Sequence, residues 1–167
     1  RVTNLWRLGV GGSFSVGVAR AHMAHPYALM LGADDWLEPT AIADAVRTIN
    51  VRPRSRGYYW YRVRYADGRG DQAEPCNAAI VSRELWRWSG GFAPETGVGA
   101  PDAALISTLM VHDSEALIPI NDTGTPPYNV RIHEGQDTAM RLPWQGAILS
   151  ARHVLTATFR PTEWGRY

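Results

Sequence analysis

One stretch restricts the folding of this chain more than any other: Leu29-Met30-Leu31-Gly32-Ala33-Asp34-Asp35-Trp36-Leu37-Glu38-Pro39. An apolar run stops at two adjacent carboxylates, and a proline able to open a helix follows. The carboxyl end of a buried strand is where an α/β sheet presents its ligand-binding groups. Neighbouring carboxylates repel each other, and a divalent cation, which takes oxygen ligands, relieves that repulsion. The same acids could instead cap the helix that starts near Pro39. The local sequence leaves both readings open.

The pattern on either side alternates strands with helices. Residues 2–8 read as a strand, Gly11-Gly12-Ser13 as a turn, and residues 14–25 as a helix with Phe14, Val18, Ala21 and His25 at helical spacing. Pro26 stops that helix, and residues 27–31 form a buried strand. Residues 39–49 form a second helix, with Ile42, Ala45, Val46 and Ile49 on its apolar face. Residues 58–65 read as one aromatic-rich strand, turned back at Asp67-Gly68. Residues 77–81 form a strand, and Ser82 caps a short helix that ends before Gly90-Gly91. Pro101 opens a further helix; residues 116–120 and 128–133 are strands, and residues 145–159 a last helix. This alternation predicts an α/β fold: a mostly parallel sheet flanked by helices.

With 167 residues, 45% of them hydrophobic, the chain is sized for one domain with a core. Its net charge of +1 gives no footprint for nucleic acid. Every one of the 17 basic residues is arginine, which excludes Schiff-base and P-loop lysine chemistry and resembles a GC-rich coding bias. The single cysteine, Cys76, excludes an internal disulfide and a multi-thiolate metal site. No apolar run reaches membrane-spanning length and no secretory signal is visible, so the expected location is cytoplasmic. The chain begins at Arg1, as a processed chain or a fragment would. Its scattered tryptophans read as packing, with Trp36 and Trp88 the exceptions that could stack on a sugar.

Three stations carry the chemistry, in the order Asp34-Asp35, Asp102, His133. With Ser82-Arg83 through Gly90-Gly91-Phe92, Pro101-Asp102-Ala103-Ala104-Leu105 and Tyr128-Asn129-Val130-Arg131-Ile132-His133-Glu134, this order resembles the GT-A-fold glycosyltransferases of the family 2 type over roughly residues 4–140. The resemblance implies a GT-A-like single domain over residues 1–167 that lacks the family's N-terminal βαβ half, the half that holds the nucleotide base and ribose. It implies transfer of a sugar from a nucleotide-sugar to a hydroxyl of a glycan, lipid or protein, with inversion and dependent on Mn²⁺ or Mg²⁺. Asp34 and His133 would hold the metal. Asp35 and Arg131 would contact the donor, and Asp102 would accept the proton of the attacking hydroxyl.

The sequence departs from the family pattern in places. Gly32 stands where the motif has its leading Asp, Pro101 where a Glu precedes Asp102, and Gly17 where an Asn is usual. Asp102 could accordingly be a first-turn acid favoured by the helix dipole. With the nucleotide-binding half absent, the chain alone should bind nucleotide-sugar weakly or not at all, and an upstream segment or a partner chain would complete the fold. Two rival readings are a non-catalytic GT-A-like remnant serving in binding or assembly, and a metal-dependent hydrolase using Asp34, Asp35 and His133.

Overall fold

A computed structural model describes residues 9–68, 70–92, 101–120, 124 and 126–132. The expected strand over residues 2–8, the helix over 145–159 and His133 lie outside the described residues. The elements in chain order are α1 (Gly9–His22), β1 (Tyr27–Leu29), β2 (Trp36–Leu37), α2 (Ala41–Val51), β3 (Tyr58–Trp60), β4 (Val63–Tyr65), β5 (Asp71–Gln72), β6 (Ala79–Ser82), α3 (Arg83–Ser89), α4 (Pro101–His112), β7 (Leu117–Pro119) and β8 (Tyr128–Val130).

The larger sheet has the order β1-β6-β3-β7 and is covered on both faces. On one side Ala28, Met30, Tyr58, Ala79 and Val81 meet Val18 of α1, Leu85 and Trp86 of α3, and Leu105, Ile106 and Leu109 of α4. On the other side Tyr59, Ile80 and Ile118 meet Ala41 and Ala45 of α2. Burial on both faces explains why residues 58–61 carry aromatics in succession rather than in alternation. The result is a mixed α/β arrangement of three layers.

The sheets are mixed, which corrects the expectation of a mostly parallel one. β6 runs antiparallel to β1 and to β3, and only β3 and β7 pair in parallel within this sheet. The cause lies in residues 61–78. The chain leaves β3, continues as β4 in a second sheet of order β2-β8-β4-β5, and reverses through the β4–β5 hairpin, where Gly68 and Gly70 have positive φ. A tight hairpin in place of a helical crossover returns β6 against its neighbours. The single strand expected over residues 58–65 is therefore two, broken at Tyr61-Arg62, with one segment in each sheet.

Two helices also differ from expectation. α1 runs through Gly11 and Gly12 instead of starting after them. α2 buries Ala41, Asp44, Ala45 and Thr48 and leaves Ile42 and Val46 exposed. The bulk of Tyr59 and Tyr61 on the facing sheet demands small residues on the helix. The polar groups that turn inward are satisfied locally. Arg47 pairs with Asp44, Thr48 Oγ1 donates to Asp44 O at 2.9 Å, and Tyr61 Oη donates to Ala41 O at 3.1 Å. The short helix α3 is bounded as expected: Ser82 Oγ accepts from Leu85 N–H at 3.2 Å, and Gly90 ends the helix in the left-handed region.

Candidate functional site

The acidic turn forms where β1 leaves the sheet. Met30 N–H still donates to Ala79 O at 2.9 Å, and the turn then closes with Asp35 N–H to Gly32 O at 3.3 Å. β2 pairs antiparallel with β8, bringing residues some ninety positions apart into register: Trp36 faces Asn129 and Leu37 faces Tyr128. Glu38 N–H donates to Pro127 O at 2.9 Å, and Asn129 Nδ2 donates to Glu38 Oε1 at 2.9 Å. Both strands of this clamp are short, so side chains do much of the fastening.

Tyr128 is the centre of that fastening. Its hydroxyl accepts from Gly32 N–H at 3.1 Å and donates to Asp35 Oδ2 at 2.9 Å. Arg131 N–H donates to Asp35 Oδ1 at 3.2 Å. Both oxygens of Asp35 are thus engaged by the protein. Burial raises the Asp35 carboxyl above its usual range and the charge of Asp34 adds to this, while the two hydrogen bonds oppose it. Burial and the adjacent Asp35 push the Tyr128 phenol upward too, which keeps its proton in place as a donor.

Gly32 has a specific reason to be glycine. A Cβ there would collide with Asp35 Oδ2 and stand 3.3 Å from Asp34 Oδ1. The two carboxylates therefore converge over the space that the missing side chain leaves. An Asp at this position would compete with Asp35 for that volume, which accounts physically for the departure noted in the sequence. Oxygen atoms of this kind could hold a hard divalent cation, for which Asp34 would be the candidate ligand and Asp35 its neighbour. Among the described residues, no three of His, Cys, Asp and Glu gather as a metal-holding group.

Asp102 lies in the first turn of α4, half-buried. Its charge acts on Tyr58 and Cys76, two groups already raised by burial, with Cys76 pushed up to about 12. Tyr58 Oη donates to Cys76 O at 2.7 Å. Cys76 in turn contributes to the raised Tyr128. Cys76 is therefore within electrostatic reach of both Asp102 and Tyr128.

Of the residues singled out in the sequence, Asp34, Asp35 and the main chain of Arg131 come together in one turn. The Arg131 residue is exposed, and its backbone, rather than its guanidinium, makes the bond to Asp35. Asp102 lies in the first turn of α4, where its charge reaches Tyr58 and Cys76, and His133 lies outside the described residues. Sequence reasoning missed Tyr128 as a holder of the turn, and also Tyr58 and Cys76. A tyrosine opening the strand before Arg131 was readable, but its partners 93 and 96 positions away were not. Trp36 is exposed beside the turn, whereas Trp88 packs partly on the first core and takes the Arg56 guanidinium at 5.3 Å from its ring centre. Compared with protein-family models, with curated proteins and with solved structures, the chain gives no match.

Proposed function

We propose that this chain is the C-terminal portion of a GT-A-fold glycosyltransferase of the family 2 type, transferring a sugar from a nucleotide-sugar to an acceptor hydroxyl. One observation carries the reading above the others: two carboxylates converge over a glycine at the carboxyl end of β1, in a turn pinned from behind by Tyr128. Asp34 would hold Mn²⁺ or Mg²⁺, with His133 as a further ligand. Such an ion supplies neutralisation of the charge that grows on the leaving diphosphate. Asp35 keeps the turn in shape through Tyr128 and Arg131, and the Arg131 guanidinium is available to phosphate oxygens. Asp102 would take the proton of the attacking hydroxyl, a role that fits inversion, and the exposed Trp36 offers a face for a sugar ring.

The outer edge of β1 has no strand beside it among the described residues. On this reading, an upstream segment or a partner chain would bring the base and ribose contacts. The chain by itself should therefore touch nucleotide-sugars only weakly, a regime that ligand-observed NMR detects. Saturation transfer to a UDP- or GDP-sugar is expected with Mg²⁺ present and is lost on its removal or in Asp34→Asn. No transfer at millimolar ligand, or transfer indifferent to Mg²⁺ and to Asp34→Asn, would sink the proposal. In the complete enzyme, Asp102→Asn should lower turnover about 10²–10⁴-fold with donor binding nearly intact, as loss of a general base does. Wild-type turnover in that variant would leave Asp102 as a helix-start acid.

A further inference from the structure

The end of the sheet opposite the acidic turn has its own chemistry. β1, β3 and β7 run one way and β6 the other, so the chain enters three strands and leaves the fourth along a single edge. Contacts run the length of that edge. Arg83 N–H donates to Pro26 O at 2.8 Å, Gly57 N–H to Ser82 Oγ at 3.0 Å, and Ser82 Oγ to Ser55 O at 2.7 Å, while Arg54 pairs with Glu115. α1, α2 and α4 each lead by a short connection into one of the three parallel strands. Their carboxyl ends therefore meet at this edge.

What they expose there is apolar. Met23 and Val51 are 76% and 78% exposed, and Met110 and Val111 are each more than half exposed. Single exposed apolar residues are ordinary on a protein surface. Here, half of the eight large ones exposed among the described residues sit at the ends of three helices along one edge, among arginines. Arg54 is paired with Glu115, and Arg87 with Glu84. Arg20, Arg52 and Arg56 have no carboxylate partner among the described residues, and Asp113 is the remaining acid of the edge. Arg20 Nη1 lies 3.9 Å from Met23 Sδ, and Arg56 stacks on Trp88, so cation and apolar surface are interleaved.

We propose that this edge docks on the surface of an anionic lipid bilayer. Met23 and Val51 enter the boundary between headgroups and acyl chains, and Arg20, Arg52 and Arg56 meet headgroup phosphates. A nucleic acid would use the arginines but would leave the apolar tips without a role, which is why the bilayer is the better match. The inference stands on this edge alone and is independent of the chemistry proposed for the acidic turn.

Co-sedimentation with vesicles tests it. The full chain should partition onto phosphatidylcholine vesicles containing roughly one third phosphatidylglycerol, but not onto phosphatidylcholine alone, and should be released by ~0.5 M salt. Arg52→Ala with Arg56→Ala should lower the partition roughly 25-fold, at about fivefold per arginine. Met23→Asp with Val51→Asp should lower it as strongly, which simple charge adsorption would not require. Arg64→Ala removes one arginine charge from the smaller sheet and should leave partition within about twofold of wild type, against the roughly fivefold expected per arginine at the edge. Circular dichroism confirms that each variant is folded, and these exposed positions carry little stability. No preference for anionic vesicles, or an equal loss in Arg64→Ala, overturns the proposal. So does retention of duplex DNA by a chain that ignores the vesicles.

Discussion

Tyr128 shows how one side chain can hold a loop that two short strands cannot. Its hydroxyl serves the Gly32 amide and the Asp35 carboxylate together. Tyr128→Phe leaves both without that partner while preserving the ring, so urea unfolding should show a loss of about 1–3 kcal/mol. A loss under ~0.5 kcal/mol would mean that the turn does not depend on this bond. Gly32 tests the same geometry from the other side. Gly32→Ala forces the Asp35 carboxylate from its place and should also destabilise the protein. In an Asp35→Ala background the same change should cost markedly less, because the colliding group is gone. Strict additivity of the two substitutions would contradict the packing described.

At the level of elements, α1 is joined to α3 through a histidine that burial holds neutral. His22 is 7% exposed; Nδ1 faces His25 O at 3.3 Å, and Nε2 is buried with no partner among the described residues. Its ring lies 6.5 Å from that of Trp86. Burial lowers its pKa first, and the charges of Arg83 and Arg87 lower it further, against the hydrogen bond to His25, which raises it. A histidine with a depressed folded pKa binds its proton more readily in the unfolded chain. Its contribution to stability is therefore complete above the unfolded value of 6.5 and is lost as pH falls through the window below it. Thermal unfolding should show the midpoint dropping between about pH 7 and pH 5, with His22→Phe flattening that slope. An unchanged slope in the variant would remove His22 as the cause.

The same scale shows what was legible beforehand. The limits of α3 were readable because a capping serine and a left-handed glycine act on their immediate neighbours. The buried face of α2 was not, because its choice follows from Tyr59 and Tyr61, which lie on another element and leave room only for Ala41 and Ala45. The break at Tyr61-Arg62 was hidden for a related reason. A strand passing from one sheet to the next keeps the same local composition, and only its long-range partners change.

Among the described residues, the two ends of the larger sheet carry different groups. The carboxyl end of β1 leads into Asp34 and Asp35. The opposite edge carries Arg52, Arg54 and Arg56 with the exposed ends of three helices. No described helix is long and apolar enough to cross a membrane. The acids at the carboxyl end of β1 were legible because an apolar strand running into two carboxylates is a local pattern. Their convergence over Gly32 was not, since it depends on β8 arriving from far along the chain.

Uptake of Mn²⁺ by the full chain, followed by the loss of the free-ion signal in electron paramagnetic resonance, tests the role of the acidic turn most directly. Saturable uptake of a single ion is expected, abolished or strongly weakened by Asp34→Asn and unchanged in Asp102→Asn, because a ligand and a base differ in what their removal does. No saturable uptake, or uptake that Asp34→Asn leaves intact, would contradict the assignment of this turn as a cation site.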